Sequence, residues 1–184
     1  MDIRRVRYDH PDAVRLTELV QQEYVERYGD PDMTPMDPDH FDPPQGIFLV
    51  AYSDDGEPLA TGGWRARDAS GEGFCDGDAE IKRMYVVPEA RGHGIARRIL
   101  AALEESAAAA GRRRMVLETG QRQPEALSLY TSCGYTPVPK FGLYRHEPLS
   151  VHLGRPLLTA TIDVESCQAR FQVRSQAFER DLTP

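Results

Sequence analysis

The turn at residues 91–96 carries the clearest chemical signal in the sequence. It reads RGHGIA and joins an apolar run to a long helical pattern. The first backbone N–H groups of a helix have no intrahelical partner and lie at the positive end of its dipole, so they form a natural anion site. No Ser, Thr, Asp or Asn is placed to cap them, and Gly92 and Gly94 would let a phosphate approach. The turn therefore predicts anion binding, although glycines that only redirect the chain are the simpler alternative.

Two common phosphate-binding motifs do not fit this turn. A Walker loop requires GxxxxGK followed by Ser or Thr, and a dinucleotide-binding turn requires GxGxxG. Residues 92–97 read GHGIAR and supply only the first half of the second motif. The positive charges of Arg91 and of Arg97 or Arg98 are compatible with a phosphate ligand. Neither motif therefore explains the turn, and another kind of anion-binding loop is needed.

Composition limits the classes of protein that could use such a site. The chain has 184 residues, enough for one domain with a proper core, and a formal net charge of −7. It lacks the sustained basic surface that nucleic-acid binding requires. No stretch reaches the roughly 18 apolar residues of a membrane span, and the cysteines lack the spacing of a zinc site. We expect a cytoplasmic protein with no metal and no nucleic-acid or membrane partner.

Periodicity and turn residues predict the elements that position the turn. The predicted strands are residues 2–7, 47–52, 59–64, 80–87, 115–119 and 148–157. The predicted helices begin near Pro11, Ile95 and Pro124 and end at Gly29, Gly111 and Gly134. A Pro- and Asp-rich loop at residues 30–46 has room for one helical turn. This order of elements predicts an α/β (α+β) domain built on a mixed sheet.

The same turn, in this context, resembles the GNAT superfamily of acyl-CoA-dependent N-acetyltransferases. Their pyrophosphate loop follows the pattern Q/R-x-x-G-x-G/A, which residues 91–96 satisfy at every fixed place. The resemblance is strongest over residues 80–135 and extends to a GNAT domain at residues 1–158, with a C-terminal extension at residues 159–184. It implies a mostly antiparallel central sheet flanked by helices, with two parallel strands that splay apart around acetyl-CoA.

The resemblance also implies which residues contact acetyl-CoA. The backbone of Met84, Tyr85 and Val86 would pair with the pantetheine arm, and an amide near Val86 would polarise the thioester carbonyl. Gln123 lies where related enzymes meet the adenine or 3′-phosphate side of CoA. The loop residues that would surround the pyrophosphate are Arg91, Gly92, His93, Gly94, Ile95, Ala96 and Arg97.

Two residues are candidates for catalysis. Tyr130 matches the family tyrosine that protonates the leaving thiolate; an ordinary tyrosine pKa of about 10 against about 8.5 for a thiol suits that role. Its helical spacing is equally typical of a core residue. Glu80 is the candidate base, because strict alternation would place it on one strand face with Lys82 and Met84. Reserve candidates for the base are His40, His93, His146 and His152. Glu118, at the end of the next strand, is another possible group on the acceptor side, and a purely structural role is at least as typical of it.

The acceptor is less defined than the donor. The leading interpretation is an N-acetyltransferase that moves an acetyl group from acetyl-CoA to a primary amine by direct attack in a ternary complex. Acids and aromatics in residues 24–46 and 138–150 would suit a cationic amine, small or part of a protein. A non-catalytic acyl-CoA-binding sensor or assembly module is the alternative, and an unrelated nucleotide-binding domain is a third. Homodimerisation is common in this fold and stays open.

Overall fold

The hydrophobic periodicity of the sequence predicts most elements of the fold correctly. A computed structural model describes residues 1–157. The strands in this range are β1 (Asp2–Val6), β2 (Gly46–Tyr52), β3 (Pro58–Arg67), β4 (Asp78–Val86), β5 (Arg114–Gly120), β6 (Thr136–Pro137) and β7 (Ser150–Pro156). The α-helices are α1 (Pro11–Tyr28), α2 (Ile95–Ala109) and α3 (Pro124–Ser132), and short 3₁₀ turns occupy Pro38–Phe41 and Pro88–Ala90. The predicted C-terminal extension, residues 159–184, lies outside the described residues.

Local chemistry sets the helix ends. The imidazole of His10 accepts a hydrogen bond from the backbone of Asp12 (3.2 Å) at the start of α1, and Gly29 ends that helix with a φ of 91°. Gly111 and Gly134 follow the caps of α2 and α3 with positive φ values of 75° and 84°. Only glycine adopts this left-handed conformation without steric cost. The three predicted glycine stops are confirmed.

The sheet is mixed and mostly antiparallel, in the order β1-β2-β3-β4-β5-β7-β6. Its single parallel pair within residues 1–157 is β4 with β5, which stay in register only from Asp78–Arg114 to Glu80–Val116. Beyond Glu80, β4 remains paired with β3 while its other edge separates from β5. The predicted splayed pair of strands is confirmed, and it opens the sheet in the middle.

A β-bulge lies in β4 just past this point. Between the register pairs Thr61–Tyr85 and Gly63–Lys82, two residues of β4 oppose one residue of β3. One of them, Arg83, has a φ of 58°, the one positive φ among the described non-glycine residues. A bulge adds a residue without a partner and shifts the alternation of side chains. The strand face that carries each side chain therefore changes at Arg83.

The bulge corrects the expectation that Glu80, Lys82 and Met84 share one face. Lys82 and Arg83 both project towards Asp32 on the α1 side of the sheet. Met84 instead packs with the α2 cluster, and Tyr85 packs with the α1 cluster. Strict period-two alternation holds only up to Lys82, because the bulge interrupts it at Arg83. The sequence does not mark the bulge, since no glycine stands there.

Two apolar clusters hold the helices on opposite faces of the sheet. On one face, Ile95, Ile99 and Leu103 of α2 pack against Trp64 and Leu117 of the sheet. The other cluster is formed mainly by α1 and β2 and consists of Ala13, Leu16, Val20, Phe41, Phe48, Val50, Tyr52 and Tyr85. Burial of these side chains is the main favourable term in folding. No helix in residues 1–157 is long and apolar enough to cross a membrane.

Candidate active site

The start of α2 has the geometry of an anion site. Gly94 is the N-cap in the left-handed conformation, and no side chain accepts a hydrogen bond from the first turn. The N–H of Arg98 donates to the carbonyl of Gly94 (3.2 Å), so the N–H groups of Ile95, Ala96 and Arg97 precede the first intrahelical bond. A Cβ added at Gly92 or Gly94 would meet nothing within 4 Å. The turn is therefore open, and its donors have no acceptor among residues 1–157.

The side chains around this turn are largely engaged with the protein. Arg91 pairs with Glu23 of α1, donates to the carbonyl of Val86 (2.9 Å) and lies over the ring of Tyr85. The exposed His93 ring contacts the carbonyl of Arg91 (2.9 Å). The anion site consequently depends on backbone donors more than on these side chains.

The first turn of α2 is also tied to α3. Arg97 donates to Ser132 Oγ (2.9 Å) and to Cys133 Sγ (3.1 Å), the residues that end α3. The bonds of this exposed guanidinium link the start of α2 to the end of α3. Arg97 therefore lies beside the turn, as predicted, with its charge partly directed at α3.

A cleft of about 640 Å³ fills the gap between the diverging strands. It is large enough for a cofactor-sized ligand. Residues of β4 and β5 form its floor, and the ends of α1 and α3 form its walls. Among its lining residues are Tyr24, Tyr28, Asp32, Lys82, Arg83, Met84, Glu118, Gln123, Tyr130, Tyr144 and Glu147. Of the sequence candidates, the cleft thus brings together Met84, Gln123, Tyr130 and Glu118.

The unpaired edge of β4 runs along this cleft. From Ile81 onward β4 has no β5 partner, while Tyr85 and Val86 remain paired with β3. The Met84 side chain faces the cleft and α2, and Val86 packs against the α2 cluster. Backbone groups at such an edge are available to an extended ligand. The edge leads directly to the open turn at Gly92 and Gly94.

Tyr130 lies at the wall of the cleft on α3. It is 5% exposed, and its ring packs edge-on against Tyr135 with centroids 5.5 Å apart. Burial raises the pKa of its phenol well above the ordinary value, with the neighbouring Tyr24 and Cys133 adding to the shift. The phenol therefore stays protonated at neutral pH, and it meets both the core and the cleft.

Gln123 caps the turn between β5 and α3. Its Oε1 accepts hydrogen bonds from Thr119 Oγ1 (3.1 Å) and from the backbone N–H of Gly120 (3.3 Å). The carboxamide oxygen is thus used within the protein, and the amide nitrogen remains available at the rim of the cleft.

Glu80 is the centre of a buried ion cluster. It is 3% exposed, and its Oε2 accepts from Nε of Arg65 and from Nε of Arg67, both at 2.8 Å. Lys82 Nζ lies 3.4 Å from the other carboxylate oxygen. Burial alone would raise the pKa of Glu80, but the three cations outweigh it and lower the pKa to about 2. The carboxylate is held ionised by partners on three sides.

Glu118 on β5 has the opposite environment. Burial raises its pKa to about 7, and the nearby acids Asp32 and Glu80 add to this effect, while Lys82 opposes it. Within residues 1–157 no side chain forms an ion pair with it closer than 4 Å. A carboxylate that titrates near neutral pH in a cleft can take up and release a proton during a reaction.

The other sequence candidates lie in different surroundings. His152 is buried between Phe141 and Ser150, and burial lowers its pKa to about 4. The remaining histidine candidates do not line the cleft; they are His40, His93 and His146. No group of three or more His, Cys, Asp or Glu in the described chain could hold a metal ion.

Some of the acids expected to bind a cationic acceptor line the cleft, among them Asp30 and Glu147, and others are paired elsewhere. Asp39 and Asp42 pair with Arg7, away from the cleft. Asp32 does line it, but Arg83 Nη1 lies 2.8 Å and Lys82 Nζ 3.8 Å from its Oδ2. Burial alone would raise the pKa of Asp32, but Lys82 and Arg83 outweigh burial and lower it. The carboxylate is therefore ionised, and these cations balance its negative charge.

Three cationic residues of the site were missed from the sequence: Arg65, Arg67 and Arg83. The first two alternate with apolar residues at the end of β3, and Arg65 lies directly opposite Glu80 in the register. The sequence does carry a signal for these two arginines: charged residues stand two apart both at the end of β3 and in β4, within otherwise apolar strands, which is typical of charge pairs across strands. No local signal marks Arg83, which reaches the site only through the bulge.

Together these features define an α/β protein with a ligand cleft between two splayed parallel strands and an anion site at a helix start. A sequence profile described as "Acetyltransferase (GNAT) family" matches residues 13–135. The IAA acetyltransferase of Azospirillum brasilense is 43% identical over 81 residues, which are 44% of this chain and 53% of that protein. The chain thus matches about half the length of this relative.

Solved structures agree with the family assignment. A candidate acyl-CoA N-acyltransferase from Klebsiella pneumoniae superposes with a TM-score of 0.70 at 28% identity, covering 85% of this chain and 97% of that one. An aminoglycoside 6′-N-acetyltransferase solved with coenzyme A shares the fold, with a TM-score of 0.63 at 17% identity over 88% of this chain and all of that one. The chain belongs to the GNAT family of acetyltransferases.

The ion cluster yields a prediction about stability. Glu80→Gln leaves three buried or half-buried cations without their carboxylate, so we expect the free energy of unfolding at pH 7 to fall by about 3–5 kcal/mol. The folded-state pKa of Glu80 is depressed, so its contribution is complete above the unfolded pKa of about 4.3. It is lost as the pH falls towards the folded value of about 2, and the gap between wild type and variant should close over that range.

Urea unfolding followed by circular dichroism measures this difference. Glu105→Gln, an exposed glutamate on α2, is the control and should change stability by less than about 0.5 kcal/mol. A Glu80→Gln variant as stable as this control at pH 7 would contradict the role of the cluster.

Proposed function

We propose that the protein is an acetyl-CoA-dependent N-acetyltransferase that transfers the acetyl group to a primary amine by direct attack in a ternary complex. One observation carries the proposal: the open edge of β4 runs from a cleft containing Tyr130 and Glu118 to the uncapped start of α2. This places an anion site, an edge for an extended arm and two ionisable groups along one path. Membership in an acetyltransferase family supports the same reaction.

The donor site fits the chemistry of acetyl-CoA. The backbone donors at Ile95 and Ala96 suit the pyrophosphate, and the glycines before them leave the space for it. The unpaired edge of β4 at residues 84–86 suits the amide-bearing pantetheine arm. Acetyl-CoA, when bound, supplies an activated thioester. The nearby nitrogen of Gln123 is a further donor at the rim, and Arg91 and Arg97 support the turn more than they bind the ligand.

Proton transfer needs a base for the amine and an acid for the thiolate. Glu118 suits the first task, because a pKa of about 7 lets it accept the proton of the attacking amine at neutral pH. Tyr130 is the candidate for the second, because it lines the same cleft and its phenol is protonated at neutral pH, while the raised pKa makes it a weaker acid than an ordinary tyrosine. As the nitrogen–carbon bond forms and the carbon–sulfur bond breaks, one proton passes from the amine to Glu118 and one passes from Tyr130 to the departing thiolate.

Glu80 is less suited to act as the base. Its pKa of about 2 makes the carboxylate a weak proton acceptor, and both of its oxygens already face cations. It can orient Arg65 and Lys82 beside Glu118, which is a positioning role. We therefore propose Glu118 in its place, with Glu80 holding the charges around it.

The donor site is tested at Gly94. Gly94→Asp puts a carboxylate at the N-cap, where it would accept the N–H groups of α2 and repel the pyrophosphate, so we expect the Kd of acetyl-CoA to rise about tenfold or more. Gly94→Asn is the matched control, since it has the same shape and the same strained φ of 75° but no charge. Calorimetry with acetyl-CoA measures both. A folded Gly94→Asp variant that keeps the wild-type Kd would refute the assignment of the turn, and the difference between the two variants measures the part due to charge.

The acid is tested by Tyr130→Phe. We expect kcat for thiol release to fall about 10²–10⁴-fold, because the leaving thiolate loses its proton donor, while the Kd of acetyl-CoA stays about the same. Tyr135→Phe is the control: it removes the neighbouring hydroxyl, which donates to Glu104 outside the cleft (2.9 Å). An unchanged kcat in Tyr130→Phe would exclude the acid role. Tight acetyl-CoA binding by wild type without thiol release from any amine would favour a non-catalytic acyl-CoA sensor.

The base is tested by the pH dependence of the reaction. Glu118 must be deprotonated to act, so kcat/KM of wild type should rise with pH through about 7. Glu118→Gln should lose this rise and about 10²–10⁴-fold of the rate near neutral pH. The control Glu105→Gln should keep the wild-type profile. Persistence of the rise in Glu118→Gln would assign it to another group, such as the amine itself.

A further inference from the structure

A second, smaller cavity of about 140 Å³ adjoins the main cleft. Lys82 and Glu118 line both spaces, so the two are neighbours. The small cavity is lined by Thr34, Pro35, Arg65, Arg67, Glu72, Glu80, Lys82, Glu118, Phe141, Gly142 and Leu143. It therefore lies directly behind the carboxylate that we propose as the base.

The cations of this cavity are not fully matched by its acids. Arg65, Arg67 and Lys82 share the single carboxylate of Glu80. Asp32 approaches Lys82 from the outer side, but Arg83 lies closer to it. Glu72 is exposed at the rim. Glu118 also lines the cavity, but with a pKa of about 7 it is only partly ionised at neutral pH. Three cations thus share one fully ionised buried carboxylate, and a small anion would complete their pairing.

Arg65 supplies a donor that has no acceptor. The residue is 2% exposed; its Nε donates to Glu80 and its Nη1 to the carbonyl of Pro35, both at 2.8 Å. Its Nη2 is buried and has no hydrogen-bond partner among the described residues. Buried polar groups without a partner are rare in native proteins, so each one calls for a ligand or water. A guanidinium fixed at two of its nitrogens presents the third in a set direction.

We propose that this cavity binds a carboxylate of the acceptor, and that the acceptor is a free amino acid with its carboxylate next to the reacting amine. The inference rests on the proposed transferase function. The carboxylate would lie against Arg65, Arg67 and Lys82, and the amine would then lie at Glu118 at the opening to the main cleft. Lys82 and Glu118, which line both spaces, set the short distance between the two groups.

Size and charge favour this class over other amines. A water molecule occupies about 30 Å³, so the cavity has room for about four or five waters, which suits a carboxylate and a few carbon atoms. A polycationic amine would bring further positive charge against Arg65 and Lys82 inside the small cavity, where three cations already share the carboxylate of Glu80. A protein N-terminus has no free carboxylate beside its amine. Phe141 and Leu143 leave an apolar wall for a side chain.

Matched acceptors test the proposal. Thiol release from acetyl-CoA is measured with a panel of free amino acids and with their carboxamides, alongside polycationic amines. The carboxamide has the less basic amine and thus more of the reactive free base at neutral pH, so a preference for the acid must come from binding. We expect kcat/KM to be about 10–100-fold higher for the best amino acid than for its carboxamide, as lost hydrogen bonds to a charged group imply.

Variants of the cavity separate recognition from folding. Arg65→Lys keeps the charge beside Glu80 but removes the forked donor, so KM for the amino acid should rise about tenfold or more while the carboxamide is unaffected. Arg67→Gln, at a half-buried position, is a second variant with the same expectation. Arg5→Gln, exposed on β1, is the control. Calorimetric titration of the same amino acid into the protein with CoA present gives a readout independent of turnover.

Each outcome bears on a distinct claim. Equal or better turnover of carboxamides or polycations, or an amino-acid KM that Arg65→Lys and Arg67→Gln leave unchanged, would overturn the carboxylate site while the transferase function stands. Absence of thiol release with every amine would overturn the proposed function and the acceptor assignment together.

Discussion

The separation of β4 from β5 after Glu80 is the constraint on which the rest of the site depends. Three register pairs hold the parallel strands together, and beyond them the sheet opens. The bulge at Arg83 follows within three residues and turns Arg83 to the same side as Lys82, towards α1, while Met84 turns towards α2. The cleft, its unpaired edge and its charged side all arise from this one break in the pairing of backbone groups.

Two glutamates on these neighbouring strands show how surroundings decide the chemistry of one residue type. Glu80 and Glu118 both lose water on folding, which raises the pKa of a carboxyl group. At Glu80 three cations more than reverse this effect, whereas at Glu118 the neighbouring acids reinforce it. Glu80 therefore stays ionised within its cluster of cations at neutral pH. Glu118, with a pKa of about 7, is the one of the two that can exchange a proton there.

The sequence was sufficient for those parts of the molecule that local chemistry specifies. Gly29, Gly111 and Gly134 end helices because their left-handed conformation is available to glycine, and the uncapped turn at Gly94 is visible in the residue types alone. The ion cluster was not predictable in this way, since Arg65 and Glu80 meet only through strand register. The bulge was hidden because a non-glycine residue, Arg83, adopts a positive φ under tertiary constraint. The pKa of Glu118 depends on burial, which no local pattern encodes.

The anion turn of α2 has a consequence for how freely the sequence around it can change. Its donors are backbone N–H groups, and the nearest arginine, Arg91, is engaged by Glu23 and Val86. Recognition of an anion by this turn would thus depend on the path of the main chain and on the two glycines that permit it. A turn of this kind does not depend on surface charge, so a net charge of −7 is compatible with it and the surface charge can change during evolution without removing it.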